Sequence, residues 1–154
     1  MHEGGGLTPI VAFLTGEGTD GAGRDVFEVI SFDDAAVEQV HDFVQWLFPL
    51  RERSGAQPNA PMLTDEDIEV IRESISAQAA LAAATDRLAV FYYRNGHWLT
   101  ASDHNHLRIT RIIKSLRLLR GDELADAFRT LILARVAEAG SPVAQPTLGF
   151  WARA

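Results

Sequence analysis

Cysteine is absent from this 154-residue chain, which excludes disulfides and thiolate metal sites and points to the reducing cytoplasm. Lysine is nearly absent too. Lys114 is the sole example, so arginine carries the rest of the basic charge, and arginine suits forked pairing with carboxylate or phosphate. Long hydrophobic runs are missing: Ala77–Ala84 and Leu131–Ala137 are interrupted by polar residues and too short to cross a bilayer. The opening MHEGGG has no basic segment followed by an apolar run, so no secretory signal is expected. Strand-like alternation, hairpin turns and internal repeats are also lacking, and the fold class expected is all-α.

An apolar fraction of 47% is ordinary for a globular chain, and the length suits one compact domain with a sizeable core. The net charge of −7 argues against a general nucleic-acid binder, which needs a basic surface. The positive charge is nevertheless concentrated: Arg108, Arg111, Lys114, Arg117 and Arg120 follow one another closely. That distribution points to one discrete anionic partner, either within the protein or outside it.

Residues 1–8 are Gly-rich and read as a flexible N-terminal segment, with residues 9–154 forming a helical domain of about six to seven helices. Pro9 opens a short helix through Leu14, Thr15–Gly23 reads as a loop, and Arg24–Ile30 as another short helix. Asp33 or Asp34 caps a helix expected to run to about Phe48, with Val37, Val40, Val44 and Leu47 as its core face. Arg51–Pro61 is a long loop, and Thr64 starts a helix whose first turn is acidic. An Ala-rich helix covers Ala79–Tyr93 and ends near Asn95–Gly96. Ser102 or Asp103 caps a helix to about Arg120, Asp122 caps one to about Ala139, and Thr147–Arg153 closes the chain.

Two polar stripes carry the candidate chemistry. On the first helix, Asp34, Glu38, His41 and Gln45 would share a face beside the valines, with Trp46 one step round. On the second, His104, Arg108, Arg111 and Ser115 align opposite Ile109, Ile112, Ile113, Leu116 and Leu119. A helix start with arginines beneath it attracts anions, so a small anionic or peptide ligand would contact His41, Gln45, His104, Arg108 and Arg111, with Arg24 and Trp98 at the rim. Asp20, Gly23 and Arg24 would fold over these stripes as a lid. The structural alternative pairs the arginines internally with Glu17, Asp20, Glu28, Glu38 or Asp42. A third reading makes His41 or His104 a general acid or base.

His97, His104 and His106 invite a metal, but residues two apart on a helix diverge and no H-E-x-x-H pattern exists, so no metal or cofactor is expected. There is no G-x-S-x-G elbow, and GEGTDGAG lacks the lysine of a phosphate-binding loop. Ser115, mid-helix, is expected to bond the carbonyl four residues back.

Four blocks in order complete the pattern: FLTGEGTDGAGR at Phe13–Arg24, HDFVQWLFPL at His41–Leu50 with Asn59-Ala60-Pro61 beyond it, WLTASDHNHLRITRIIKSLRLL at Trp98–Leu119, and LGFW at Leu148–Trp151. Together they resemble the opioid growth factor receptor conserved-region family, in a short form like its microbial members. The connection from Tyr93 to Trp98 is shorter than the family's usual one, and Asp103 stands where an Asn is common. The resemblance implies a helical fold and a shared set of polar residues. It does not imply the enkephalin-type hormone physiology from which the family takes its name.

Overall fold

The computed structural model describes residues 7–154, so most of the N-terminal segment expected to be flexible lies outside the described residues. Nine α-helices, α1 to α9, and no strand occur among the described residues; the one extended pairing is an isolated bridge between Leu50 and Met62. None of these helices is long and apolar enough to cross a membrane. The chain divides into two compact units, one ending at Ala83 and the other comprising Ala84–Ala154.

In the first unit, α1 (Pro9–Leu14) starts as its sequence dictates, with Pro9 in the first turn and Thr8 as N-cap. Its Ile10, Val11, Phe13 and Leu14 are buried, and it packs against the helices at Val44–Leu47 and Asp65–Glu73. Helix α2 (Val26–Ile30) carries a reciprocal capping box between Asp25 and Glu28. Helix α5 (Asp65–Glu73) has the same device between Thr64 and Asp67. There the buried Asp67 does double duty: one oxygen accepts the Thr64 N–H at 3.0 Å and the other the Thr8 hydroxyl at 2.8 Å. The start of α5 is thereby tied to the start of α1.

The single helix expected from Asp33 to Phe48 does not form. Asp33 caps α3 (Asp34–Gln39), the backbone turns extended at Val40, and a separate four-residue α4 spans Val44–Leu47. The cause is burial. Five of the six residues Phe43–Phe48 are buried, a demand that no one-sided helix can meet. Phe43 is sealed edge-on against Phe32 at 5.4 Å, whereas Val40, expected in the core, is only half-buried. Tertiary packing overrides the local period.

A 20-residue helix α6 (Ile75–Arg94) leads into the second unit, four residues earlier than its alanine content suggests. Beyond it, α7 (His104–Leu119) packs on α8 (Asp122–Glu138) and on α9 (Gln145–Arg153). Asp103 caps α7 as expected. Asp122 does not cap α8; Gly121 holds that position with φ +102°, a backbone geometry that favours glycine, and Asp122 becomes the first helical residue. Around α7, Trp98 donates its indole N–H to the Tyr92 and Asn95 carbonyls, and Trp151 donates to the His106 carbonyl. Both indoles are fully buried. At the far end of α7, Arg117 donates to the Ala154 carbonyl and pairs with Asp122 and Asp126, fastening α9.

Replacing Asp67 with Ala strips the Thr64 N–H and the Thr8 hydroxyl of their acceptor. We expect a loss of about 2 kcal/mol in urea denaturation, with the exposed Glu69→Ala control within about 0.5 kcal/mol of wild type.

Candidate functional site

The break between α3 and α4 places His41 and Asp42 in non-helical backbone, so the stripe of Asp34, Glu38, His41 and Gln45 expected on one helix face does not exist. His41 is exposed, whereas Gln45 is 8% exposed and its side-chain oxygen has no hydrogen-bond partner among the described residues. Arg24 has a defined role. Its Nε and Nη2 reach Asp20 at 2.8 Å, and Nη2 also reaches Asp42 at 2.8 Å. Its guanidinium lies 5.5 Å from the Phe32 ring centroid. Burial acts to lower the Arg24 pKa, but the hydrogen bonds to Asp42 and Asp20 and their negative charge outweigh it and hold the pKa above the ordinary arginine value.

Asp20, whose side chain is wholly buried, organises the glycine-rich loop. One carboxylate oxygen accepts the N–H groups of Ala22 and Arg24 at 2.9 and 3.0 Å while the other takes the guanidinium. The Asp20 N–H in turn donates to the Arg24 carbonyl at 2.8 Å. The loop expected to act as a lid is thus closed on itself and anchored to Asp42. Of the acids foreseen as internal partners for arginine, Asp20 and Asp42 pair with Arg24.

This anchoring leaves a recess of about 180 Å³ beside the loop. Gly21 and Ala22 form one wall, Asp42 and Trp46 another, and Gln57, Asn59 and Ala60 of the long loop complete it. A Cβ added at Gly21 would stand 3.8 Å from the Trp46 ring, so the loop lies directly along the indole. Phe13 supports the same ring edge-on at 5.5 Å. The lining offers a carboxylate, two side-chain amides and an aromatic face. Nothing in the chemistry of the sequence singles out Gln57 or Asn59. Asn59-Ala60 belongs to one of the family blocks, and that is the available signal.

The second unit holds the other candidate residues. On α7, His104 is exposed, Arg111 is half-buried and Arg108 is only 8% exposed, so this polar stripe does not simply face solvent. The positive end of the helix is answered by the chain's own Asp103, whose carboxylate accepts the Asn105 N–H at 2.9 Å and its side-chain amide at 3.0 Å. Burial acts against the Asp103 carboxylate, but the bonds from Asn105 and the nearby His104 and His97 bring its pKa below the ordinary range. Trp98, expected at a rim, is fully enclosed. Ser115 is buried, yet its hydroxyl bonds no carbonyl four residues back; it has no partner among the described residues. His106 is buried with Nε2 at 2.8 Å from the Trp98 carbonyl. No group of three or more His, Cys, Asp or Glu that could hold a metal occurs among the described residues.

An all-helical architecture with a polar recess in an interrupted helical segment is the class that this geometry defines. Residues 24–95 match the model of the opioid growth factor receptor conserved region, and over that segment the chain is similar to this family. The human opioid growth factor receptor is 35% identical over 101 residues, an alignment covering 52% of this chain and 14% of the receptor. The mouse opioid growth factor receptor-like protein 1 is 36% identical over 101 residues, covering 54% of this chain and 22% of that protein. The aligned part is therefore a minor share of each relative's length. No solved structure matches. The match includes His41–Leu50 and Asn59–Pro61, whereas Phe13–Gly23 precede it and the blocks at Trp98–Leu119 and Leu148–Trp151 lie beyond it.

Arg24→Ala leaves the enclosed Asp20 carboxylate without its cation, and we expect a loss of about 3 kcal/mol in urea denaturation. Arg24→Lys should recover less than half of it, since an ammonium cannot reproduce a fork shared between two carboxylates. Full recovery by lysine would show that charge alone suffices.

Proposed function

We propose that this chain is a ligand-holding helical region of the opioid growth factor receptor type, located in the cytoplasm, and that its recess receives one residue of a peptide. The observation that carries this reading is the lining itself, in which the amides of Gln57 and Asn59 stand beside the Trp46 indole and the Asp42 carboxylate. Side-chain amides complement the alternating N–H and C=O groups of a peptide, and an indole receives an apolar or cationic side chain. Size supports the same reading. Pockets for whole small ligands run to roughly 300–1,000 Å³, so a recess of about 180 Å³ suits a single anchoring residue.

Of the two ligand classes expected from sequence, the peptide is favoured over the free anion. An anion entering the recess would meet Asp42, and at the start of α7 it would meet Asp103 in the position it needs. That certain relatives are named as receptors for a growth factor agrees with a binding role, and nothing in their names specifies the peptide for this chain. His41 and Arg24 act at the edge of this site, Arg24 by fixing Asp42.

Fluorescence tests the proposal, because Trp98 and Trp151 are fully buried while Trp46 is not. In a panel of short peptides that includes the enkephalin type, a binder should protect Trp46 from acrylamide quenching, and inorganic phosphate should not. Trp46→Ala should weaken that peptide by about tenfold or more, and Asn59→Ala by about threefold to tenfold. A peptide whose affinity ignores both substitutions would place binding elsewhere.

A further inference from the structure

The second unit carries an apolar groove that the peptide recess does not involve. It lies between α6 and α8, has a volume of about 250 Å³, and is walled by Ala89, Val90 and Tyr93 on one side and Leu131 and Ile132 on the other. Val90, Tyr93 and Leu131 are 43%, 71% and 59% exposed, so three large apolar side chains share one open patch. Scattered exposed apolar residues need no explanation, but a contiguous groove of them marks a contact surface.

The charge at its mouth indicates what kind of partner fits. Arg135, one helical turn beyond Leu131, lines the groove, and its Nε is held at 3.3 Å from the Tyr93 carbonyl. That bond uses one of the five N–H groups of the guanidinium. No carboxylate among the described residues pairs with Arg135, although the chain has 21 acidic residues against 14 basic ones. Arg24, Arg117 and Arg129 each find carboxylates at 2.8–2.9 Å in the same chain. An unneutralised guanidinium fixed at the end of an apolar groove calls for a carboxylate from outside.

We infer that the α6–α8 groove docks an acidic amphipathic segment of another protein. A bulky apolar side chain of that segment enters between Tyr93 and Leu131, and a carboxylate about one helical turn away takes the Arg135 guanidinium. This is the helix-in-groove mode, in which apolar anchors supply affinity and a flanking charge sets orientation and selectivity.

The test uses the full chain, isotope-labelled for NMR, and two synthetic amphipathic peptides of about sixteen residues. They share a leucine face and differ only in carrying Glu or Lys beside it. The acidic peptide should shift the amides of Val90, Tyr93, Leu131 and Arg135 and bind about tenfold more tightly than the basic one. Leu131→Glu, a change at a solvent-exposed position, should weaken the acidic peptide by about tenfold, and Arg135→Glu should reverse the preference between the two peptides. Equal binding of both peptides, or binding indifferent to both substitutions, overturns the inference. So does a dimer in sedimentation that Leu131→Glu dissociates, because the groove would then be occupied by a second copy.

Discussion

One guanidinium holds the signature segment in its shape. Arg24 stands between two carboxylates, the enclosed Asp20 four residues before it and Asp42 eighteen residues after it. The enclosed Asp20 carboxylate takes its cation from Arg24 while it ties down the loop N–H groups of Ala22 and Arg24. Through Nη2 Arg24 also fixes Asp42, and so fixes the non-helical bridge between α3 and α4. The recess follows from these constraints. Gly21 and Ala22 are held against the Trp46 indole, and the carboxylate beside them is already oriented.

The parts of the fold that are legible in the sequence are those set by neighbours in the chain. Pro9 at the start of α1, Thr64 with Asp67 at the start of α5, Asp103 ahead of α7 and the Asn95-Gly96 stop all act within a few residues, and each appears where its chemistry places it. The all-α class follows from the same kind of reading, and the family resemblance from the blocks in their order. The α3–α4 break cannot be read that way, because it depends on the burial of Phe43 and Phe48 and on an arginine far back along the chain. Helical spacing treats Val40 as core and His41 as part of a face, and packing removes both assignments.

The site is legible only in fragments. Arg24 is a candidate by type and position, Trp46 stands out by size, and Asp20 and Asp42 are acids that an arginine could use. That these few residues form one node emerges only from their distances. Gln57 and Asn59 enter the recess from a loop rich in Pro and Gly, where residue type alone does not distinguish lining from connection. Conversely, Trp98 looks like a pocket wall and is a core indole whose N–H is spent on backbone carbonyls. Aromatic size signals burial; it does not tell a wall from a core.

The most direct test is a double-mutant cycle on Arg24 and Asp42, read in both denaturant stability and peptide affinity. If the guanidinium fixes the recess through Asp42, the two alanine substitutions are strongly non-additive, with a coupling of about 1 kcal/mol or more in each readout. Additive effects within about 0.3 kcal/mol would mean that aromatic packing alone holds the bridge between α3 and α4, and would contradict the central role of Arg24.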